Sequence, residues 1–462
     1  MTDVALAKTT TTDLERLDEL VEDQERIFLE RQPRSGATTE VARRSLAGGA
    51  TSSWQIARPQ AVWISHGAGS KVFDVDGNAY VDLHGGYGVM AVGHAHPKIV
   101  EAVTARIALG SHFAQPTEDS IAVSEELARR FGLPLWRFGN SGTEATMDAV
   151  HLMRAITGRP IIVKIEGCYH GHHDSVQVSV ANPRDELGSV ERPDSPASST
   201  GIPQEIIDLT LIVPFNDLDA IERRFADHPG EIAGVIMEPI MMNAGIIPPD
   251  DDYLETVRDI VHRHGALLTF DEVKTGVTVA AGGATELLGV TPDIVCLAKS
   301  MGGGLPCGAI GGSAEVMDTV VAGDYEQVGT FNGNPLTMAA ARAALVDVLD
   351  ADAYGHFATL RGTLVKGCER IIAEFELPAQ VVAVGAKGCI TFTSERVRNY
   401  RDFLAIDDRL SHCHWLFQHN GGVFLPPWGK AEQWMLSVQH TREDAERFLD
   451  NFATFARTLR EL

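Results

Sequence analysis

"CLAKSMGGGLP", residues 296 to 306, sets one lysine between a short apolar run and three consecutive glycines. The residues leading into it, Asp293-Ile294-Val295-Cys296-Leu297-Ala298, read as a short buried strand, so Lys299 falls where a strand gives way to a glycine turn. A solvated cation has no reason to be there. Outward from this point, the apolar runs IIVKIE (161–166), LIVPF (211–215), GVIMEP (234–239), LLTFDEV (267–273) and DIVCLAK (293–299) alternate with helical stretches such as TEATMDAVHLMRAITG and YLETVRDIVHRHG. The alternation predicts crossover connections and an α/β fold: a mainly parallel central sheet covered by helices.

The flanks differ. From about Thr12 to Glu30, Leu14, Leu17, Leu20, Val21 and Ile27 recur at helical spacing among acids, which predicts an amphipathic arm lying on a neighbouring surface. KVFDVDGNAYVD (71–82) alternates around an Asp-Gly-Asn turn and predicts a β-hairpin. After residue 335 a long helical stretch, short strands in KGCITFTS and WMLSVQ, and a closing helix over REDAERFLDNFATFARTL predict a smaller α+β domain. The expected division is an N-terminal arm and segment over 1–75, a large domain over 76–335 and a small C-terminal domain over 336–462. NPRDELGSVERPDSPASSTGIP (182–203) is rich in Pro, Ser, Gly and charge, and is expected to be a long loop able to serve as a lid.

Composition narrows the function. The 462 residues are 44% hydrophobic and 22% charged, as in a soluble globular protein, and the formal charge of −24 opposes binding to nucleic acid or anionic membranes. The six cysteines are scattered without CxxC spacing, so they read as reduced core thiols and point to the cytoplasm. No apolar run reaches the roughly 18 residues of a membrane span. No GxGxxG follows a strand and GxxxxGK[ST] is absent, so neither a dinucleotide nor a nucleoside triphosphate is indicated.

In open parallel sheets ligands bind beyond the carboxyl ends of the strands. GVIMEP ends there with Glu238, LLTFDEV with Asp271 and DIVCLAK with Lys299. A partly desolvated lysine has a lowered pKa and can act as a nucleophile toward carbonyls, although Lys299 taken alone fits an ordinary ion pair equally well. GNSGTEATMDAV (139–150) opens a helix with Ser141, Gly142 and Thr143, offering hydroxyls and amides to a phosphate, though such a sequence is also a plain helix cap. EGCYHGHHDSV (166–176) puts Tyr169 and His170 just after a strand, where an aromatic side chain could stack on a flat ring. Phosphate cup, stacking ring, acid and amine together point to pyridoxal 5′-phosphate.

The segments NSGTEA, EGCYHGHHD, MEPI, FDEV, LAKSMGGGLPCGAIGG and GTFNGNP, in this order, resemble the class III pyridoxal-phosphate aminotransferases of fold type I. The likeness is closest to the glutamate-1-semialdehyde 2,1-aminomutase group and its transaminase relatives, and runs from Gly48-Gly49 to the end of the chain. It implies that Lys299 is the catalytic lysine and carries the cofactor, that Asp271 holds its ring nitrogen, and that Ser141, Gly142 and Thr143 hold its phosphate. It further implies Tyr169 over the ring, with His170, Glu238 and Asn243 lining the cofactor site, and a homodimer in which Thr330 completes the partner's phosphate cup. The substrates implied are a small-molecule amine donor and a carbonyl acceptor.

The chain departs from the resemblance on the substrate side. In GGATSSWQIARP, Trp54 and Gln55 stand where the aminomutases carry a carboxylate-binding arginine, and a glutamine cannot form a charge-assisted bidentate bond. Arg58 is a candidate displaced substitute, and Tyr87 replaces a pocket tryptophan. PPWGKAEQW (426–434) offers Trp428 and Lys430 but no arginine, while Glu432 matches an aminomutase acid. VKTGVTVA (273–280) also lacks a family arginine. The expectation is a less anion-specific, more apolar pocket, hence an aminotransferase, with the aminomutase as the alternative.

Overall fold

The apolar runs pair as a seven-stranded sheet in the order Leu135–Gly139, Gly308–Gly312, Ile294–Ala298, Leu267–Asp271, Ile232–Met237, Ile161–Ile165, Thr210–Val213. The structure is a computed structural model describing residues 11–56, 58–427 and 429–461, so Trp428 lies outside the described residues. Five neighbouring strands run parallel, as the alternation predicts. Gly308–Gly312 is antiparallel to both its neighbours. This strand, GAIGG, carries little apolar signal, because its partners come too close for side chains. A Cβ at Gly308 would lie 2.2 Å from the Ser141 carbonyl oxygen, and one at Gly311 2.6 Å from the Trp136 ring. Glycine is what lets the strand insert beside Lys299.

The hairpin pairs Lys71–Asp74 with Ala79–Asp82, and Val423–Phe424 joins it in parallel from the far end of the chain. The N-terminal helix Thr11–Glu30 packs on the helix Asp408–Asn420, where Phe28, fully buried, meets Trp415 and His419 at ring separations of 5.5 and 4.6 Å. A second small sheet, Gln380–Val384, Lys387–Thr391 and Trp434–Met435, is antiparallel throughout. The closing helix is Arg442–Arg460, started by a Thr441–Asp444 capping box. All six cysteines are buried and unbridged.

None of the residues in the loop over 182–203 lines the cavity at Lys299. The loop is pinned elsewhere. Arg401 donates to both Glu166 carboxylate oxygens at 2.9 Å and to the carbonyls of Leu187, Gly188 and Ser189. Both side chains are nearly or fully buried, so removing one partner strands an ion in the interior. Arg401→Met is expected to lower unfolding stability by about 3–5 kcal/mol in urea titration. A loss below about 1 kcal/mol would show that the loop is held by other contacts.

Candidate active site

The strand Ile294–Ala298 is fully buried and delivers Lys299 at its carboxyl end in a left-handed backbone conformation, φ 55°. A lysine held there stores backbone strain and turns its side chain off the strand axis. It enters a cavity of about 140 Å³ that is also lined by Asp271, His170, Tyr169, Glu238, Asn243, Gly142, Thr143 and Trp54. The structure therefore brings together nearly all the residues singled out for the cofactor. Burial first, and then the neighbouring Lys274, push the Lys299 amine down to about 8.

Asp271 ends the strand Leu267–Asp271, its two oxygens engaged by His170 Nδ1 at 2.7 Å and by the Val273 amide at 2.9 Å. Its neighbour Glu272 is fully buried and accepts from the Ala284 and Thr285 amides and from the Thr275 and Thr285 hydroxyls, which fixes the turn after the strand. Glu238 takes hydrogen bonds from Met242 N at 2.7 Å and from Asn243 Nδ2 at 2.9 Å. Tyr169 lies 5.1 Å from Trp54, ring to ring, and Trp54 lies 5.4 Å from Tyr87, forming an aromatic wall.

Ser141 is the N-cap of the helix Gly142–Thr157, and its hydroxyl accepts from the Glu144 amide at 3.2 Å. Gly142 and Thr143 face the cavity with amides that have no partner among the described residues, at the positive end of the helix. A Cβ at Gly142 would sit 2.9 Å from Val273, so the helix start lies hard against the turn that carries Asp271.

The substrate-side expectations divide. Gln55 and Tyr87 line a separate chamber of about 480 Å³, mostly aromatic and aliphatic, which shares Trp54 as a wall with the Lys299 cavity. Gln55 Oε1 accepts from the Thr51 amide and hydroxyl. Arg58 is exposed and lines neither space. Lys430 points away, with its ammonium on the Ile406 carbonyl and 4.9 Å from the Phe403 ring centroid. Glu432 is held by Lys274 at 2.8 Å. Thr330 is exposed and lines a third cavity of about 530 Å³ with Phe113 and Phe138, and Phe331 beside it is exposed.

Two lysines bear on the expectation of a less anion-specific, more apolar pocket. Lys274 lines the Lys299 cavity, and Lys387, 2% exposed, lies within Coulombic reach of both. Sequence reading missed them because it looked for arginines. The available signal was a lysine at the head of the apolar run in KGCITF, where a surface residue is out of place.

A model of the class-III aminotransferases matches residues 55–453. The chain belongs to that family. It is 40% identical to glutamate-1-semialdehyde 2,1-aminomutase 2 of Brevibacillus brevis over 84% of this chain and 89% of that one. Among solved structures, an omega-transaminase from Sphaerobacter thermophilus superposes with a TM-score of 0.87 at 35% identity, covering 92% of this chain and 98% of the other. A glutamate-1-semialdehyde aminomutase variant from Pseudomonas aeruginosa, in complex with PMP, gives 0.89 at 30% identity over 96% and 99%. The chain is thus a class-III aminotransferase-family enzyme of the expected fold, and pyridoxal 5′-phosphate is its cofactor. Among the described residues, no helix is long and apolar enough to cross a membrane.

The lowered Lys299 pKa gives a direct test. Only the neutral amine is nucleophilic, so in cofactor-free protein the acylation rate of Lys299 should rise about tenfold per pH unit and level off near pH 8. Exposed lysines should keep rising toward about pH 10.4. Mass-spectrometric mapping reads both; a Lys299 midpoint near 10 would show that the amine is not desolvated.

Proposed function

We propose that this chain is a pyridoxal-phosphate-dependent aminotransferase that moves an amino group between an amine or amino acid and a carbonyl acceptor in a ping-pong sequence. The observation that carries this reading is the convergence, in one cavity, of the Lys299 amine, the Asp271 carboxylate and the open amides of Gly142 and Thr143. These residues fit the cofactor. The helix start suits a phosphate, the Tyr169–Trp54 wall suits a flat ring, and Asp271, oriented by His170, suits a protonated ring nitrogen. When bound, pyridoxal phosphate supplies a carbonyl for the substrate amine and an electron sink for the charge left when the Cα–H bond breaks.

Lys299 would hold the cofactor covalently and, once displaced by a substrate amine, would carry the proton removed from the substrate carbon. Its lowered pKa suits this, since a base must be unprotonated to act. Glu238 and Asn243, locked to each other, would keep the cavity wall rigid beside that transfer. Thr330 and its exposed apolar neighbours Phe113 and Phe331 support a homodimer in which this surface completes the partner's site. The unbridged cysteines support a cytoplasmic setting.

Transfer between two molecules is supported by Gln55, which presents no cation, and by the chamber of about 480 Å³ beyond Trp54, larger and more apolar than a five-carbon semialdehyde needs. The names of the curated relatives favour the second reading, intramolecular transfer in glutamate 1-semialdehyde, over the general one. Incubating holoenzyme with glutamate 1-semialdehyde alone and assaying 5-aminolevulinate decides between them. Sustained turnover without an added acceptor would establish the aminomutase; conversion only with paired donors and acceptors supports the aminotransferase.

Lys299→Ala should keep the fold and retain the cofactor non-covalently, because Gly142, Thr143 and Asp271 hold it independently of the amine. Amino transfer should fall by orders of magnitude. Near-wild-type turnover in this variant, with no added amine, would remove Lys299 from the mechanism.

A further inference from the structure

Lys387 opens the strand Lys387–Thr391 and is 2% exposed, yet its ammonium makes no hydrogen bond or ion pair to any other described residue. Its place is well defined. A Cβ at Gly88 would lie 2.5 Å from Lys387 Nζ, so the amine rests directly on the Gly88 peptide. The Gly88 carbonyl in turn accepts from Ser300 Oγ at 2.7 Å, and Ser300 follows Lys299. The segment pressed on the amine has Gly85, Gly86, Tyr87 and Gly88 all in left-handed conformations, Tyr87 at φ 59°. A non-glycine residue in that region signals strain, and such strain gathers at ligand sites.

Of the other nearby cations, Lys299 is taken by the cofactor and Lys274 by protein groups. Lys274 Nζ contacts both Glu432 oxygens, at 2.8 and 2.9 Å, and the Met242 carbonyl at 3.0 Å, which uses its three donors. Glu238, the other acid near Lys387, is occupied by Met242 N and Asn243. Lys387 is left with unused donors and no counter-ion. A buried amine of this kind is stabilised by an incoming carboxylate through charge-assisted hydrogen bonds.

We infer that Lys387 is the carboxylate-recognising residue of this enzyme, so that its substrates are amino acids or oxo acids whose carboxylate reaches the amine beside Gly88. This rests on the aminotransferase reading and names its substrate class. Lys387 takes the part that Gln55 leaves open, from the opposite side of the Tyr87–Gly88 segment. Burial, reinforced by Lys274 and Lys299, keeps the amine's proton affinity well below the ordinary value while no anion is present, so its interior position costs less than a fixed charge would.

The test uses holoenzyme and amine-free probes, so it does not depend on turnover. Binding of valerate and of its uncharged analogue valeramide is measured by calorimetry in wild type, Lys387→Met and Lys387→Arg. Wild type should prefer the acid, Lys387→Met should reduce that preference about 10- to 150-fold, and Lys387→Arg should restore part of it. If the Met variant does not fold, Lys387→Gln reads the same ratio. An unchanged acid-to-amide ratio in a folded neutral variant would overturn the assignment, as would its collapse in Arg58→Ala while the Lys387 variants keep it. Should no donor and acceptor pair turn over while wild type still selects the acid through Lys387, the aminotransferase reading fails and the anion site stands.

Discussion

An amine held out of water at the carboxyl edge of a parallel sheet is the constraint on which the rest of this molecule depends. A lysine in that position is expensive unless the chain fixes its backbone, surrounds it with balanced charge and leaves it an outlet. Each demand is met by an identifiable element. The antiparallel glycine strand Gly308–Gly312 pairs along the whole of Ile294–Ala298, and Lys299 follows at φ 55°. Glu272, bound by four donors, freezes the turn that aims Asp271 and Lys274 at the same cavity.

Charge around the cavity is distributed with unusual economy. Lys274 is matched by Glu432, Asp271 by His170, and Glu238 by the neutral donors Met242 N and Asn243. Lys164, buried one strand away, is satisfied by the carbonyls of Ile165 and Ser179, both at 3.2 Å. Lys299 and Lys387 both lack an ion pair among the described residues; the cofactor accounts for the first and the proposed carboxylate for the second.

The Lys299 cavity and the larger chamber share Trp54 as a wall. The smaller one holds Lys299 and Asp271. The larger one is walled by side chains from the 49–64 segment, the 84–87 turn and the 415–427 stretch, which come from distant parts of the chain.

The periodicity of the sequence by itself determined the arm, the hairpin, the parallel strands and the closing helix, because each is a local pattern of apolar residues that is read the same way wherever the chain runs. The residues at strand ends and at the Ser141-Gly142-Thr143 helix start were legible for the same reason: a lysine or acid at the edge of an apolar run is conspicuous. Gly308–Gly312 was not recognised as a strand, since what makes it one is the proximity of the Ser141 carbonyl and the Trp136 ring, which lie far away in sequence. The loop over 182–203 read as a free lid, whereas Arg401, more than 200 residues later, ties it to Glu166. Lys274 and Lys387 were invisible as site residues because a lysine's meaning depends on whether an anion stands beside it. That depends on three-dimensional neighbours: only folding sets Glu432 against Lys274 and leaves Lys387 without an ion pair among the described residues.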